Sequence, residues 1–102
     1  MTPLTIDSAA LRATAVRLTD DALVVDLADG RSLSAPLAWY PRLLHGTLAE
    51  RANLRLIGSG EGIHWPDLDE DISVEGILSG RASGESQASF QKWLKARSAQ
   101  PS

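Results

Sequence analysis

The stretch GSGEGIHWPDLDEDISVEGILSG, Gly58 to Gly80, decides how this chain is read. It opens with three glycines in five residues, passes through His64-Trp65-Pro66 and four acids in five positions, and ends at Gly80. Gly58 to Gly62 has the composition of a β-turn; a phosphate-binding loop would need a Gly-Lys-Ser/Thr and a following helix, and has neither. The far end reads as a short capped helix. Ser73 is an N-cap residue, Glu75 lies in the first turn where the helix dipole favours an acid, and Gly80 stands where a C′ glycine belongs. Ile72 and Ile77 occupy the N′ and N4 positions of a hydrophobic staple.

Outward from that stretch, the N-terminal half has the period-two signature of strands. Thr14, Val16 and Leu18 alternate with Ala13, Ala15 and Arg17, and Leu23, Val25 and Leu27 form the next stripe. Asp29-Gly30 is a hairpin signal whose type I′ turn would place both residues at positive φ. Leu33, Ala35 and Leu37 alternate again, and Pro36, which cannot donate to a ladder, puts this third strand at an edge or ends it. Leu4 and Ile6 could add an edge strand before them. Pro41 then starts a helix expected to run to Ala52, with Leu44, Leu48 and Ala52 recurring at helical spacing and Asn53 stopping it. Gly46 inside that helix points to a close approach. Leu54 to Ile57 returns as a strand, and a C-terminal helix is expected over Glu85 to Arg97, with Phe90, Trp93 and Leu94 on one face. The expected fold is therefore α+β: a small antiparallel meander with one helix on a face, a further strand, a short capped helical turn and a C-terminal helix.

With 102 residues, 43% of them hydrophobic, the chain has material for one domain over 1–102 with a single core over about 12–80, a helix over 85–97 and a tail at 98–102. It contains no cysteine, so neither disulfides nor thiolate metal sites are available. The N-terminus lacks the basic and apolar regions of a secretory signal, and no apolar run has membrane-spanning length, so the expected location is cytoplasmic. Net charge is −3, and residues 58–80 supply six acids and no Lys or Arg. Glu61, Asp67, Asp69, Glu70 and Asp71 thus form the candidate binding residues for a basic protein surface, while nucleic acid would be repelled. No basic residue lies close in sequence to relieve their repulsion.

Chemistry-bearing patterns are sparse. Asp67, Asp69 and Asp71 match positions one, three and five of a calcium loop, but Ile72 replaces its glycine and Leu78 its bidentate glutamate. No metal, cofactor or catalytic residue is assigned on this basis. His64, with His45 the only other histidine, is expected to flank a buried Trp65 and bond to backbone. Trp39, Trp65 and Trp93 are core candidates, or interface anchors where exposed.

The run G-x-G-I-x-W-P-x-L-D-x-D-I-S-x-E-G-I-L, here Gly60 to Leu78, resembles the bacterial domain of unknown function 2442 family. Trp39-Tyr40-Pro41-Arg42-Leu43, after the Asp29-Gly30 hairpin, resembles it too, so the likeness spans Ala13 to Gly80 and takes in Gly60, Gly62, Trp65, Pro66, Ser73 and Gly80 as its structural motif. The resemblance implies a β-meander-plus-helix fold and an antitoxin-like member of a two-gene pair, with no established catalytic residues. Some relatives carry a helix-turn-helix after the core; residues 81–102 here have room for one helix. The leading expectation is a non-enzymatic module, antitoxin-like or regulatory, that binds a small basic protein and is compatible with a homodimer. Two alternatives stand beside it: a metal-dependent or minor enzyme using His64 with Asp67, Asp69 and Asp71, and a dimeric repressor contacting DNA.

Overall fold

A computed structural model describes residues 11–99; Leu4 and Ile6 lie outside them. Strands β1 (Ala13–Leu18), β2 (Ala22–Leu27) and β3 (Ser32–Pro36) form an antiparallel meander in that order. Leu23, Val25 and Leu27 point inward beside Ala35, as the alternation requires, and Pro36 closes an edge strand. Two details depart from the sequence reading. The β1–β2 register shifts between Ala13 and Ala15, a bulge that turns Ala13 onto the buried face beside Leu27 instead of the outer one. The Asp29-Gly30 hairpin is not type I′, because only Gly30 takes a positive φ, at 91°. Gly30 N–H donates to the Leu27 carbonyl and Leu27 N–H to the Arg31 carbonyl, giving a type I turn with a glycine bulge. Asp29 is held there by its own carboxylate, which accepts the Arg31 backbone N–H at 3.0 Å and its Nε at 2.7 Å.

The helix expected over 41–52 is two helices, α1 (Pro41–Leu44) and α2 (Leu48–Ala52). Gly46 lies at the break. A Cβ there would sit 3.0 Å from Leu68 Cδ1, so the close approach anticipated from the glycine is contact with Leu68. Thr47 then caps a fresh start: its hydroxyl accepts the Glu50 N–H while Glu50 accepts the Thr47 N–H, a complete capping box. Breaking the helix changes which side chains are covered. Leu43 is buried, whereas Leu44 and Leu48 from the predicted stripe are 40% and 79% exposed.

The strand expected over 54–57 does not stand alone. Strand β4 (Arg55–Ile57) pairs with β5 (Gly62–Trp65), which pairs with β6 (Glu70–Ser73), making a second three-stranded antiparallel sheet. Ile63, Trp65 and Ile72 face the core, and the Trp65 indole N–H donates to the Arg51 carbonyl at 3.0 Å. The two sheets meet at the β4–β5 turn, where Ala13 N–H donates to the Gly60 carbonyl at 2.8 Å. Beyond β6, α3 (Val74–Leu78) is capped by Ser73, whose hydroxyl accepts Gly76 N–H, and Ile72 and Ile77 are buried together. It ends in a Schellman motif: Arg81 N–H bonds to the Gly76 carbonyl and Gly80 N–H to that of Ile77, with Gly80 at φ 76°. Helix α4 (Gln87–Ala99) starts two residues later than expected, with Ser86 accepting the Ser89 N–H, packs Trp93 against the core and buries Phe90 between Trp93 and His45.

Gly60 and Gly30 separate conformational strain from crowding. Both have positive φ, but a Cβ at Gly30 meets nothing within 4 Å, while at Gly60 (φ 105°) it would lie 2.6 Å from the Ala13 carbonyl oxygen. In urea unfolding, Gly30→Ala is expected to cost about 1 kcal/mol, and Gly60→Ala about 2–4 kcal/mol because backbone must also move. Equal costs would mean that the inter-sheet approach is not tight.

Candidate functional site

The acidic stretch forms the β5–β6 hairpin, and the hairpin sorts its acids. Leu68 is fully buried in the turn and holds it against the core. Arg42 on α1 fastens the same turn by donating from Nη1 to the Leu68 carbonyl at 3.0 Å. Asp67 accepts from Asn53 Nδ2 at 2.9 Å. Asp69 takes a left-handed backbone, φ 49°, and its side chain is 92% exposed with Oδ2 4.0 Å from Arg42 Nη1. The strand period then separates the last two acids. Glu70 turns inward beside Ile72, while Asp71 faces outward and pairs with His64 Nδ1 across the β5–β6 ladder. Glu61 stands apart in the β4–β5 turn, accepting from Ser59 N–H and Oγ–H at 2.7 and 2.6 Å.

Two expectations change here. Repulsion among these acids is relieved, because Arg42, Asn53 and His64 arrive from positions 7 to 27 residues away in sequence. His64 has a carboxylate as its partner, not backbone, because its place opposite Asp71 sets it on the outer face of the sheet while Trp65 takes the inner one. Asp67, Asp69 and Asp71 diverge to three different partners. Among the described residues no group of three His, Cys, Asp or Glu side chains is close enough to hold a metal ion.

Arg42 is the residue that sequence reasoning missed, since Pro41-Arg42 read only as a helix start. Besides the Leu68 bond, its Nε and Nη2 donate to Glu85 at 2.8 and 2.5 Å, and its guanidinium lies 5.1 Å from the Trp93 ring centroid. Arg97 covers the same ring at 4.6 Å and binds Glu50 through two bonds of 2.9 and 2.7 Å. Trp93 is thus bracketed by two guanidinium groups, and α4 is docked beside the acidic hairpin. These bonds set the carboxyl acidities. Arg97, with the Thr47 backbone N–H, pulls Glu50 down to about 2, and Arg42 lowers Glu85. Glu70 moves the other way: burial raises it, and Arg42 only partly opposes that.

Behind the hairpin, Tyr40, Glu70 to Ser73, Gly76 and the 81–84 segment line an open pocket of about 320 Å³. Backbone bonds fix its wall, Arg81 N–H to Gly76 and Ser83 N–H to Trp39, and the buried Tyr40 hydroxyl donates to the Arg81 carbonyl at 3.4 Å. No pattern in the sequence foretold it, because its lining comes from the residue before α1, from β6, from α3 and from a connecting segment.

Two small antiparallel sheets locked by glycine, with an acidic hairpin clasped by an arginine, define an α+β class of domain. The chain belongs to the DUF2442 family of proteins of unknown function, whose model matches residues 13–83. No curated protein is significantly similar to it. Among solved structures, a protein of unknown function from Rhodospirillum rubrum is similar at 26% identity with a TM-score of 0.63, over 76% of this chain and 93% of that one. The uncharacterised protein CV0863 from Chromobacterium violaceum, whose structure was determined by solution NMR, shares the fold at 19% identity. Its TM-score is 0.62, over 94% of this chain and 96% of that one. After the matched region this chain has the single helix α4 among the described residues.

Two titrations follow from the opposite shifts. Glu50 has a folded pKa of about 2 against an ordinary value of 4.5, so its contribution is fully present above pH 4.5 and lost as pH falls towards 2. The Trp93 indole resonance is expected to move as pH falls towards 2, and Glu50→Gln to reduce the movement to the part that Glu85 causes through Arg42, at a cost of about 1 kcal/mol at pH 7, the range for a pair that water still reaches. Glu70 has the raised pKa, so its charge opposes folding at neutral pH and protonation relieves it. Glu70→Gln is accordingly expected to raise the unfolding midpoint at pH 7, with the gain shrinking as pH falls through the ordinary glutamate range. A midpoint that drops at pH 7 would reverse that assignment.

Proposed function

We propose that this protein is a binding module whose β5–β6 hairpin docks on a basic surface of a small protein partner, in an antitoxin-like or regulatory pairing. The observation that carries the reading is Asp69. A non-glycine residue in the left-handed region costs roughly 1 kcal/mol, and the carboxylate so placed is 92% exposed at the tip of a turn anchored by Leu68 and Arg42. Asp67 stands beside it, held by Asn53. Two carboxylates on a fixed turn make a small negative field that needs no ordering on contact, which favours steering of a cationic partner. Glu70, turned inward, takes no part in that field, and Glu61 lies in a separate turn; Asp71 contributes through its pair with His64. Binding of a protein also fits the exposed apolar side chains Leu44, Leu48, Leu56 and Ile57, which would supply contact area beyond the charged tip.

The test uses the partner that copurifies from the native host. Asp67→Lys with Asp69→Lys is expected to slow association about ten-fold at low salt, with the difference vanishing as ionic strength rises. Both side chains are exposed, so the fold should persist, with stability lowered by about 1 kcal/mol through loss of the Asn53 bond and of the Arg42 contact. Equal association rates at low salt would leave the hairpin as a solvated turn.

A further inference from the structure

The pocket behind the hairpin carries an inference that does not depend on the hairpin's role. Its lining includes Glu70 and Arg81, of opposite charge and not paired with each other, beside Asp71, whose carboxylate is paired with His64. Glu70 forms no ion pair among the described residues. Its carboxylate has the Asp71 backbone N–H and the field of Arg42, and Arg42 is already committed to Glu85 and the Leu68 carbonyl. Arg81, on the opposite wall, makes no side-chain hydrogen bond or ion pair among the described residues, although its backbone is fixed at both N–H and C=O. Gly76 keeps the space before its guanidinium open. A Cβ there would lie 3.9 Å from Arg81 Nε and Nη2 and 2.8 Å from Ser73 Oγ, so any larger residue would occupy that gap.

Glu70 is half-buried and Arg81 exposed, and the charges that reach Glu70 are those of Arg42, Glu85 and Asp71, not that of Arg81. The secondary structure holds the two on separate walls: Glu70 on β6, Arg81 in the Schellman turn after α3. We propose that this pocket binds a small zwitterion, with its ammonium at Glu70 and its carboxylate at Arg81. At about 320 Å³ the pocket is at the small end of ligand sites, which suits a free amino acid and excludes a nucleotide. Tyr40 and Ile72 supply apolar surface for a short hydrocarbon stem, while the Tyr40 hydroxyl is already spent on the Arg81 carbonyl. Guanidinium suits a carboxylate because its paired N–H groups match the two oxygens. A carboxylate that burial has left short of counter-charge suits an ammonium for the same electrostatic reason.

The test is a titration of the ¹⁵N-labelled full chain with L-alanine, β-alanine and γ-aminobutyrate, zwitterions of increasing charge separation. Propylamine and propionate, each carrying one of the two charges, serve as controls. At least one zwitterion is expected to shift the amides of Ile72, Ser73, Arg81 and Ser83 saturably, and both controls to bind at least ten-fold more weakly. Glu70→Gln and Arg81→Gln should each reduce that affinity at least ten-fold while the remaining amides keep their positions. Asp69→Asn, on the hairpin tip, should leave it unchanged. If no zwitterion perturbs these amides at about 20 mM, where even weak millimolar binding would register, the pocket is a solvent crevice and the proposal is wrong. It is equally wrong if a singly charged control binds as well as the zwitterions, or if both substitutions leave the titration unaltered.

Discussion

The approach of Gly60 to Ala13 is the contact on which the two halves of this protein depend. Two three-stranded sheets share no strand here, so no ladder fixes one to the other. Besides the apolar core they share, in which Leu23, Val25 and Ala35 meet Ile63, Trp65 and Ile72, what links them among the described residues is a backbone bond from Ala13 N–H to the Gly60 carbonyl, made at a separation that excludes any side chain at position 60. Both partners need special backbone to reach it. Gly60 adopts a positive φ, and Ala13 is swung inward by the bulge that doubles Thr14 and Ala15 against Asp26. Next to it, Val74 N–H donates to the Glu61 carbonyl, so the same turn also receives the start of α3. A few hydrogen bonds of ordinary strength gain leverage because they set the orientation of every apolar side chain on either side.

Arg42 plays the corresponding part for the polar side of the molecule. Its side chain is mostly buried, and a buried guanidinium is costly unless its donors are all engaged. Here Nε and Nη2 are engaged by Glu85, Nη1 by the Leu68 carbonyl, and the face of the group by Trp93. The acidic turn, the segment before α4 and the α4 helix are consequently tied to one side chain on α1. That arrangement makes docking of the C-terminal helix electrostatic as well as apolar, so it responds to acid through Glu50 and Glu85 while the core of Trp65, Leu68 and Ile63 does not.

These two devices give the hairpin and the pocket behind it different characters. The tip, with Asp67 and Asp69, faces water and acts at a distance through its field. Glu70, one residue on, is turned by the strand period into a recess where desolvation governs its charge. Neighbouring acids in one short run therefore serve a long-range and a short-range electrostatic purpose, and the pleat of β6 is what divides them.

Local rules were enough for much of this chain. The period-two stripes of Leu23–Leu27 and Leu33–Ala35, the Ser73 cap, the Ile72–Ile77 staple and the Gly80 stop appear as read, and the chain reverses at Asp29-Gly30 though by another turn type, because each rests on residues within a few positions of one another. The α4 face of Phe90 and Trp93 was legible for the same reason. What sequence could not supply depended on distant partners. The 41–52 helix broke because Leu68 needed the space at Gly46 and because a capping box at Thr47 competed with continuation, leaving Leu48 exposed. Gly62–Trp65 pairs with β4 and Glu70–Ser73 with β5, each a strand through its neighbour, although glycines and acids are poor strand formers. The partners that Arg42, Asn53 and His64 bring to the acidic run, and the charge-lined recess between Glu70 and Arg81, exist only after the chain has folded, since attraction between polar groups follows distance in space and not position in sequence.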